Sequence, residues 1–398
     1  MRKIAVAAVF GLAAGLFAAG AAIGAAAVAA AAPQAPAAKG EAEATGAAAA
    51  APADRPWLPC PYPPSDTVRG IEFDISTHRR EAIGSDIWPI TWADDGHQYS
   101  PWGDGAGFGA DGNAKAQKAG RVSLGVARIE GPVGAYRGVN VWGGWKAENP
   151  AQFAGKGTGI LSVGGVLYML MAGPGSNTVP ETRLAVSRDH SRTWQLADWN
   201  WTAVRDRVFA GAFLNFGKDY EGARDEYVYA YFTHLDDPPP ADKPRNWRYE
   251  VPGRVALARV PKDRLLDRAA WQWFAGFDDR GGPRWTADPA ARAHAFEDPN
   301  GLKVVSVSHH AHLKKYLLTY SPKDNRGNFA LFEASEPWGP WRAAAYLKGH
   351  ALFMPPEPNQ RVAIFHFPAK WWSGDGRQGT LLFNTGDDAW NTVCVRLR

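Results

Sequence analysis

Two aspartates, Asp86 and Asp104, flank a single hairpin at a spacing that suits acid–base chemistry. The run Ile87-Trp88-Pro89-Ile90-Thr91-Trp92 enters the turn Asp94-Asp95-Gly96 and returns through His97-Gln98-Tyr99. The turn centres on Asp95 and the two aspartates stand nine residues to either side of it, so antiparallel pairing brings both to the same open end of the two strands. Adjacent strands lie about 4.8 Å apart, which is nearer the roughly 5–5.5 Å carboxyl separation of retaining glycosidases than the wider inverting one. Like charges at that distance keep one carboxyl protonated while the other ionises. Cleavage of a glycosidic bond uses that division: an acid protonates the leaving oxygen and a carboxylate acts as nucleophile or base. A structural alternative has Asp86 capping a strand start and Asp104 shaping the Gly-rich turn Gly103 to Gly109.

Further residues are expected around this pair. Asp387, in the turn Gly386-Asp387-Asp388, echoes Gly103-Asp104 and is the expected third catalytic acid. Glu297 and Asp298 precede a β-rich run and are expected on the substrate side. Trp88, Trp102, Trp142, Trp145 and Trp371 fall on or beside the same segments, and sugar rings stack on such aromatics. Arg183 and Lys370 are weaker polar candidates. His309 or His310, with a tyrosine, is the candidate base and acid pair of a polysaccharide lyase, and His309 is otherwise a candidate substrate contact. Both histidines sit late on their strand, toward the turn, and no metal-ligand spacing surrounds them. No metal or cofactor is expected, with a structural calcium ion left open.

These residues need rigid elements to hold them. The chain lacks long stretches of helical periodicity, apart from a short segment at Arg264 to Trp273, and instead repeats a β-rich run, a polar turn and a second β-rich run. Besides the hairpin above, Gly159 to Val163 turns at Gly164-Gly165 into Val166 to Leu170, and Val304 to His310 returns as Tyr316 to Tyr320. Arg361 to Phe367 pairs with Thr380 to Asn384, and Phe213 to Phe216 with Tyr227 to Phe232. Five hairpins over about 340 residues predict an all-β, five-bladed β-propeller with a repeat of about 65 residues; a pair of β-sandwiches is the alternative. Ser187-Arg188-Asp189-His190-Ser191-Arg192-Thr193-Trp194 follows the S-x-D-x-G-x-T-W Asp box of sialidase-like propellers, with Ser191 at the Gly position and a structural role for Asp189.

Taken together, the segments Gly84 to Gly96, Trp102-Gly103-Asp104-Gly105, Arg137 to Gly144, Phe216 to Tyr220, Ala258 to Arg264, Leu331 to Ala334 and Pro337 to Trp341 resemble the family catalogued as domain of unknown function 4185. The resemblance implies a secreted five-bladed propeller. Some relatives are endo-acting hydrolases of bacterial arabinan, whose essential aspartates lie in T-D-L-G and G-D-T-F segments. Ser85-Asp86-Ile87-Trp88 and Gly103-Asp104-Gly105-Ala106 resemble those segments, with departures that bear on the arabinan substrate more than on the aspartates.

Met1-Arg2-Lys3 followed by an Ala-rich apolar run reads as a signal peptide over residues 1–32, with an uncleaved N-terminal anchor as the alternative. Residues 33–54, almost all Ala, Pro and Gly, read as a flexible tether, leaving 55–398 for the propeller. The expected location is therefore secreted or periplasmic. Net charge is +4 with no basic cluster, which argues against nucleic acid and a polybasic membrane patch. The expected partner is a polysaccharide or oligosaccharide and the expected state a monomer. A glycoside hydrolase is the leading reading, beside a non-catalytic carbohydrate-binding propeller and the lyase. Closure is expected from pairing of Gly70-Ile71-Glu72-Phe73 with Thr392 to Leu397, with a Cys60–Cys394 disulfide as a further staple in an oxidising compartment.

Overall fold

The computed structural model describes residues 56–173, 181–238, 240, 248–354 and 364–398. The expected signal peptide and tether lie outside the described residues. The fold is all-β, and the strands succeed one another as antiparallel meanders. After β1 (Ile71–Glu81), the first meander comprises β2 (Asp86–Ile87), β3 (Thr91–Trp92), β4 (Gln98–Gly103), β5 (Leu124–Glu130) and β6 (Arg137–Trp142), with α1 (Ala114–Gly120) between β4 and β5. The second runs through β7 (Lys156–Val163), β8 (Val166–Gly173), β9 (Glu181–Ser187) and β10 (Gln195–Thr202). The third is β11 (Val208–Asn215), β12 (Tyr227–His234), β13 (Gly253–Pro261) and β14 (Gln272–Phe277), extended by β15 (Pro283–Thr286) and by β16 (His294–Asp298) on β13. The fourth is β17 (Ser306–His310), β18 (Lys315–Tyr320), β19 (Phe329–Ala334) and β20 (Arg342–Leu347). The last holds β21 (Ile364–His366), β22 (Gln378–Asn384) and β23 (Trp390–Leu397), and β1 completes it.

The hairpins expected from the sequence are present, with Asp86 opposite Gly103 and not Asp104, and with residues 361–363 of the expected Arg361 strand outside the described residues. Val163 faces Val166 across Gly164-Gly165, whose φ values of +60° and +74° are those of a tight primed turn that residues with a Cβ rarely enter. His309 faces Tyr316, Phe213 faces Ala230, and Ile364 faces Asn384. Middle strands such as β12 are buried on both faces, because each sheet is covered by its neighbours, and they read as continuous apolar runs. β11 and β17 pair in parallel, Leu214 with Val307. Ile90, Thr158, Phe213, Ser306 and His366, one from the opening segment of each meander, line one small shared cavity.

Closure follows the expected pairing: Ile71 faces Leu397 and Phe73 faces Val395. The disulfide is not formed. Both cysteines are free. The Pro-rich entry segment carries the chain to the fourth meander, where Pro64 bridges Ala343, so Cys60 packs on the core that holds Phe296 and Phe332 while Cys394 lies in β23 opposite Asp74. The helical segment expected at Arg264 to Trp273 is a single 3-10 turn, Arg268–Ala270, whose first N–H groups are capped by Asp267, and the chain then enters β14. The one α-helix of the described residues, α1, is too short to carry a periodic pattern; Asn113 caps it by accepting from the Ala116 N–H.

Candidate functional site

Asp86 opens β2 and pairs with Gly103, the last residue of β4, so Asp104 follows directly beyond the pair. A Cβ at position 103 would lie 2.6 Å from both Asp86 Oδ1 and Lys156 Cδ. The absence of a side chain there leaves room for both groups over the backbone. Lys156, the first residue of β7, is 3 % exposed, and its Nζ lies 2.6 Å from Asp104 Oδ2; Arg121 Nη2 is 3.8 Å from the other carboxylate oxygen. Asp86 Oδ1 is sealed from solvent and has no hydrogen-bond partner. Burial pushes the Asp86 carboxyl up to about 8; the Lys156 ammonium opposes the shift, Asp388 and Asp104 add to it, and Lys303 opposes it.

The backbone around this pair is unusual. Ile87 and Trp88 have φ of +82° and +61°, and Asp104 has +48°. A β-branched residue in that region costs free energy and persists where the surroundings over-determine it, a feature that clusters at functional sites. Here the Asp388 carbonyl accepts from the Gly84 and Ser85 N–H groups, and Ser85 Oγ accepts from the Gly107 N–H at 2.9 Å.

That contact brings Asp388, not the expected Asp387, toward the pair. Asp387 is engaged by other partners, accepting from Arg80 Nε at 2.9 Å and from Asn391 Nδ2 at 3.0 Å. The Asp388 carboxyl is held above its ordinary range by burial first, then by Asp387 and Asp104, with Lys156 and Arg121 opposing. Lys156, Lys303 and Asp388 are the site residues that the sequence reading missed. Lys156 had a usable signal: it begins the opening strand of its meander, as Asp86 does, and so reaches the same end.

The tryptophans expected to meet ligand are mostly interior. Trp88 is fully buried among Trp102, Phe108 and Trp390 at 5.2–5.4 Å between ring centroids, and its indole N–H donates to the Ser85 carbonyl. Trp102 covers Gly107 and Gly125, and Trp142 packs on Phe153. Trp371 stacks on Tyr136 at 5.0 Å. Trp145 is half-buried against Ala106, Ala110 and Ala116 beside α1. An aromatic beside a catalytic segment serves sheet-to-sheet packing as readily as ligand, and packing has taken these.

The other expected contacts lie elsewhere. Arg183 is on β9, two strands from β7, and donates to Glu181 at 2.6 Å. Glu297 accepts from Arg254 Nε at 2.7 Å. Asp298 is fully buried and accepts from Tyr320 Oη at 2.6 Å, Tyr346 Oη at 2.8 Å and the Asn300 N–H at 2.8 Å. Lys370 donates to the Gly96 carbonyl at 2.6 Å, at the turn end of the first hairpin, away from Asp86. His309 lies between Phe216 and Tyr316 at the far end of β17, and burial pushes it down to about 4. His310 is held by the Gly376 carbonyl at 2.8 Å. Neither histidine reaches the aspartates; His309 has Tyr316 as its cross-strand neighbour, 5.2 Å between ring centroids.

The Asp box is structural. Asp189 accepts from Ser187 Oγ, the Thr193 N–H and Thr193 Oγ1, and the buried Trp194 donates to Ser191 Oγ. Ser191 takes φ of +71° where glycine is usual. Among the described residues, Asp94, Asp95 and His190 bring three metal-ligating atoms within 4.8 Å of one another. They already have partners: His190 Nε2 meets Asp94 at 2.8 Å, and Asp95 accepts from Tyr99 Oη at 2.7 Å.

Comparison with solved structures gives several distant likenesses. A protein from Bacteroides ovatus ATCC 8483 described as a putative hydrolase is 13 % identical with a TM-score of 0.48, over 80 % of this chain and 86 % of that one. The β-xylosidase RS223 is 11 % identical with a TM-score of 0.45, over 80 % and 94 %. A GH43_1 enzyme from Xanthomonas citri is 14 % identical with a TM-score of 0.41, over 83 % and 90 %. Among curated proteins, an uncharacterized 35.9 kDa protein from the asd 3′ region of Mycolicibacterium smegmatis is 30 % identical over 135 residues, 32 % of this chain. The chain spans about a third of the length of that relative, 35 %. The model of the domain of unknown function DUF4185 matches residues 157–368, more than half of the chain, starting one residue after Lys156. The chain belongs to the DUF4185 family.

Proposed function

We propose that the chain is an exported glycoside hydrolase, a five-bladed β-propeller whose blades are the five meanders, acting on an extracellular or cell-envelope polysaccharide. The observation that carries this reading is the unequal treatment of two adjacent aspartates. Asp86 is half-buried, with Oδ1 sealed from solvent and without a partner, and its carboxyl is pushed up to about 8, so it holds a proton at neutral pH. Asp104 is the carboxylate of an ion pair with Lys156. Asp86 donates its proton to the glycosidic oxygen as the bond to the anomeric carbon breaks, and the Asp104 carboxylate faces the positive charge that develops on that carbon. The Ala-rich apolar run after Met1-Arg2-Lys3 supports export. The burial of Trp88, Trp102, Trp142 and Trp371 weakens the non-catalytic binding reading, which needs exposed aromatics.

The test is incubation of the full chain with a polysaccharide panel that includes bacterial arabinan, measuring released reducing ends. Hydrolysis of at least one polymer is expected, with Asp86→Asn and Asp104→Asn each lowering kcat by about 1,000-fold or more while the thermal midpoint holds. Full activity in either variant would contradict that residue's role, and unsaturated products would replace hydrolysis with elimination.

A further inference from the structure

We propose that the chain carries a second ligand site, a cleft for a short neutral carbohydrate, at the opposite end of the last sheet from the aspartate pair. The Asp86 centre lies where the Asp388 carbonyl accepts from Gly84 and Ser85, at the turn between β22 and β23. The cleft, about 500 Å3, opens at the other end of the same strands, roughly 20 Å away along the sheet. Strands β1, β22 and β23 contribute one wall, and Pro132 and Val133, from the β5–β6 turn of the first meander, contribute the lip. Its volume is that of a small-molecule site.

Strand alternation explains why a gap stands here. Leu381, Val393, Val395 and Phe73 pack into the core shared with the fourth meander. Residues between them take the other face, where Leu382 and Trp390 join the core beside Trp88 and Tyr136 of the first meander. Further along that face the apolar series stops. Thr380 stands opposite Cys394, Cys394 opposite Asp74, and Arg396 opposite Glu72, and all five line the cleft. Small and polar side chains at these positions leave the space that apolar residues would have filled.

The lining selects the class of ligand. Among the described residues, Thr380 Oγ1 and Trp371 Nε1 lack hydrogen-bond partners, on side chains only 2 % and 4 % exposed, and interiors seldom leave such groups short. Both signs of charge are present, Glu72 and Asp74 against Arg396 and Lys370. Glu72 is already paired with Arg398, Asp74 accepts from Ser76 Oγ, and Lys370 donates to the Gly96 carbonyl. They offer spare hydrogen-bonding capacity rather than an anion awaiting a cationic ligand. An apolar ligand would strip water from these groups without replacing it. A neutral sugar complements each kind: its hydroxyls donate to carboxylates and accept from cations, an indole N–H or a hydroxyl, and its apolar face suits the half-buried Trp372.

The site stands independently of the hydrolase reading, and its test reads occupancy rather than turnover. Cys394 is a free, half-buried thiol of the lining, and Cys60, free and packed on a different core, is the internal control. The full chain is treated with iodoacetamide, alone or with saturating xylotriose, cellotriose, maltotriose or arabinotriose, and alkylation of each cysteine is followed by peptide mass spectrometry. A trisaccharide that the chain hydrolyses is tested on Asp86→Asn. At least one of these sugars should slow Cys394 by about fivefold or more while Cys60 keeps its rate. Arg396→Leu, at an exposed position, should raise the sugar concentration for half-protection by about tenfold; an unshifted value would put the binding elsewhere and overturn the cleft. If Cys394 does not alkylate, the 15N-indole signals of Trp371 and Trp372, assigned by substitution, decide: movement with a neutral sugar supports the site and unmoved signals overturn it. Protection of neither cysteine, equal protection of both, or protection by glucuronate or sulfate with none by a neutral sugar overturns the proposal. Hydrolysis without protection strikes the cleft and keeps the hydrolase reading; protection without hydrolysis does the reverse.

Discussion

Asp86, half-buried, and Asp298, fully buried, both have carboxyls that desolvation pushes above the ordinary range, yet the protein treats them differently. Asp298 accepts three hydrogen bonds, from Tyr320, Tyr346 and the Asn300 backbone, and so ties β16 to β18 and β20. Asp86 has one oxygen sealed from water without a donor, two lysines acting on it, and strained backbone directly after it. A buried polar group with its partners in place is ordinary protein interior; one left short marks a site that keeps something in reserve.

The comparison can be broken most easily at Asp298. Asp298→Ala strands two tyrosine hydroxyls and a backbone N–H in the interior, and should cost about 3 kcal/mol or more of unfolding free energy. Asp86→Asn should leave denaturant stability at neutral pH close to the wild-type value. Equal losses from the two substitutions would remove the distinction. Gly103→Ala should have an intermediate effect, about 1–3 kcal/mol, because the new Cβ needs space that Asp86 Oδ1 and Lys156 Cδ occupy. Its loss of activity should exceed that of a surface Gly→Ala change of equal stability cost.

The same comparison carries a pH dependence. Asp86 titrates at about 8 in the folded chain and near 4 when unfolded, so between those values the folded state binds more protons. Stability from this group therefore falls as pH rises from about 4 to about 8 and is level above. The difference in unfolding free energy between wild type and Asp86→Asn should drift in favour of the variant across that window. A flat difference would mean that Asp86 ionises normally in the fold.

Much of the fold was legible because β registers repeat every two residues and their turns are marked. Gly164-Gly165 fixed Val163 against Val166, and the symmetry of the first hairpin placed Asp86 beside Gly103 and Asp104. The pairing of Ile71 to Phe73 with β23 was legible for the same reason. Burial was less so. Trp88, Trp102 and Trp142 lie next to the right segments, but which face of a short strand a side chain takes depends on the neighbouring sheet. Asp387 and Asp388 share an irregular turn after β22, where no period says which one faces inward. Lys156 comes from another meander, and its meeting with Asp104 is a tertiary fact.

The central claim is that Asp86 carries a proton at neutral pH beside an ion-paired Asp104. Its most direct test is the 13Cγ titration of Asp86 in the wild-type chain from pH 3 to 10. The account predicts a carboxylic acid at pH 7 and a midpoint of about 8. A midpoint near 4, the ordinary carboxyl value, would contradict it and return Asp86 to a strand-capping role.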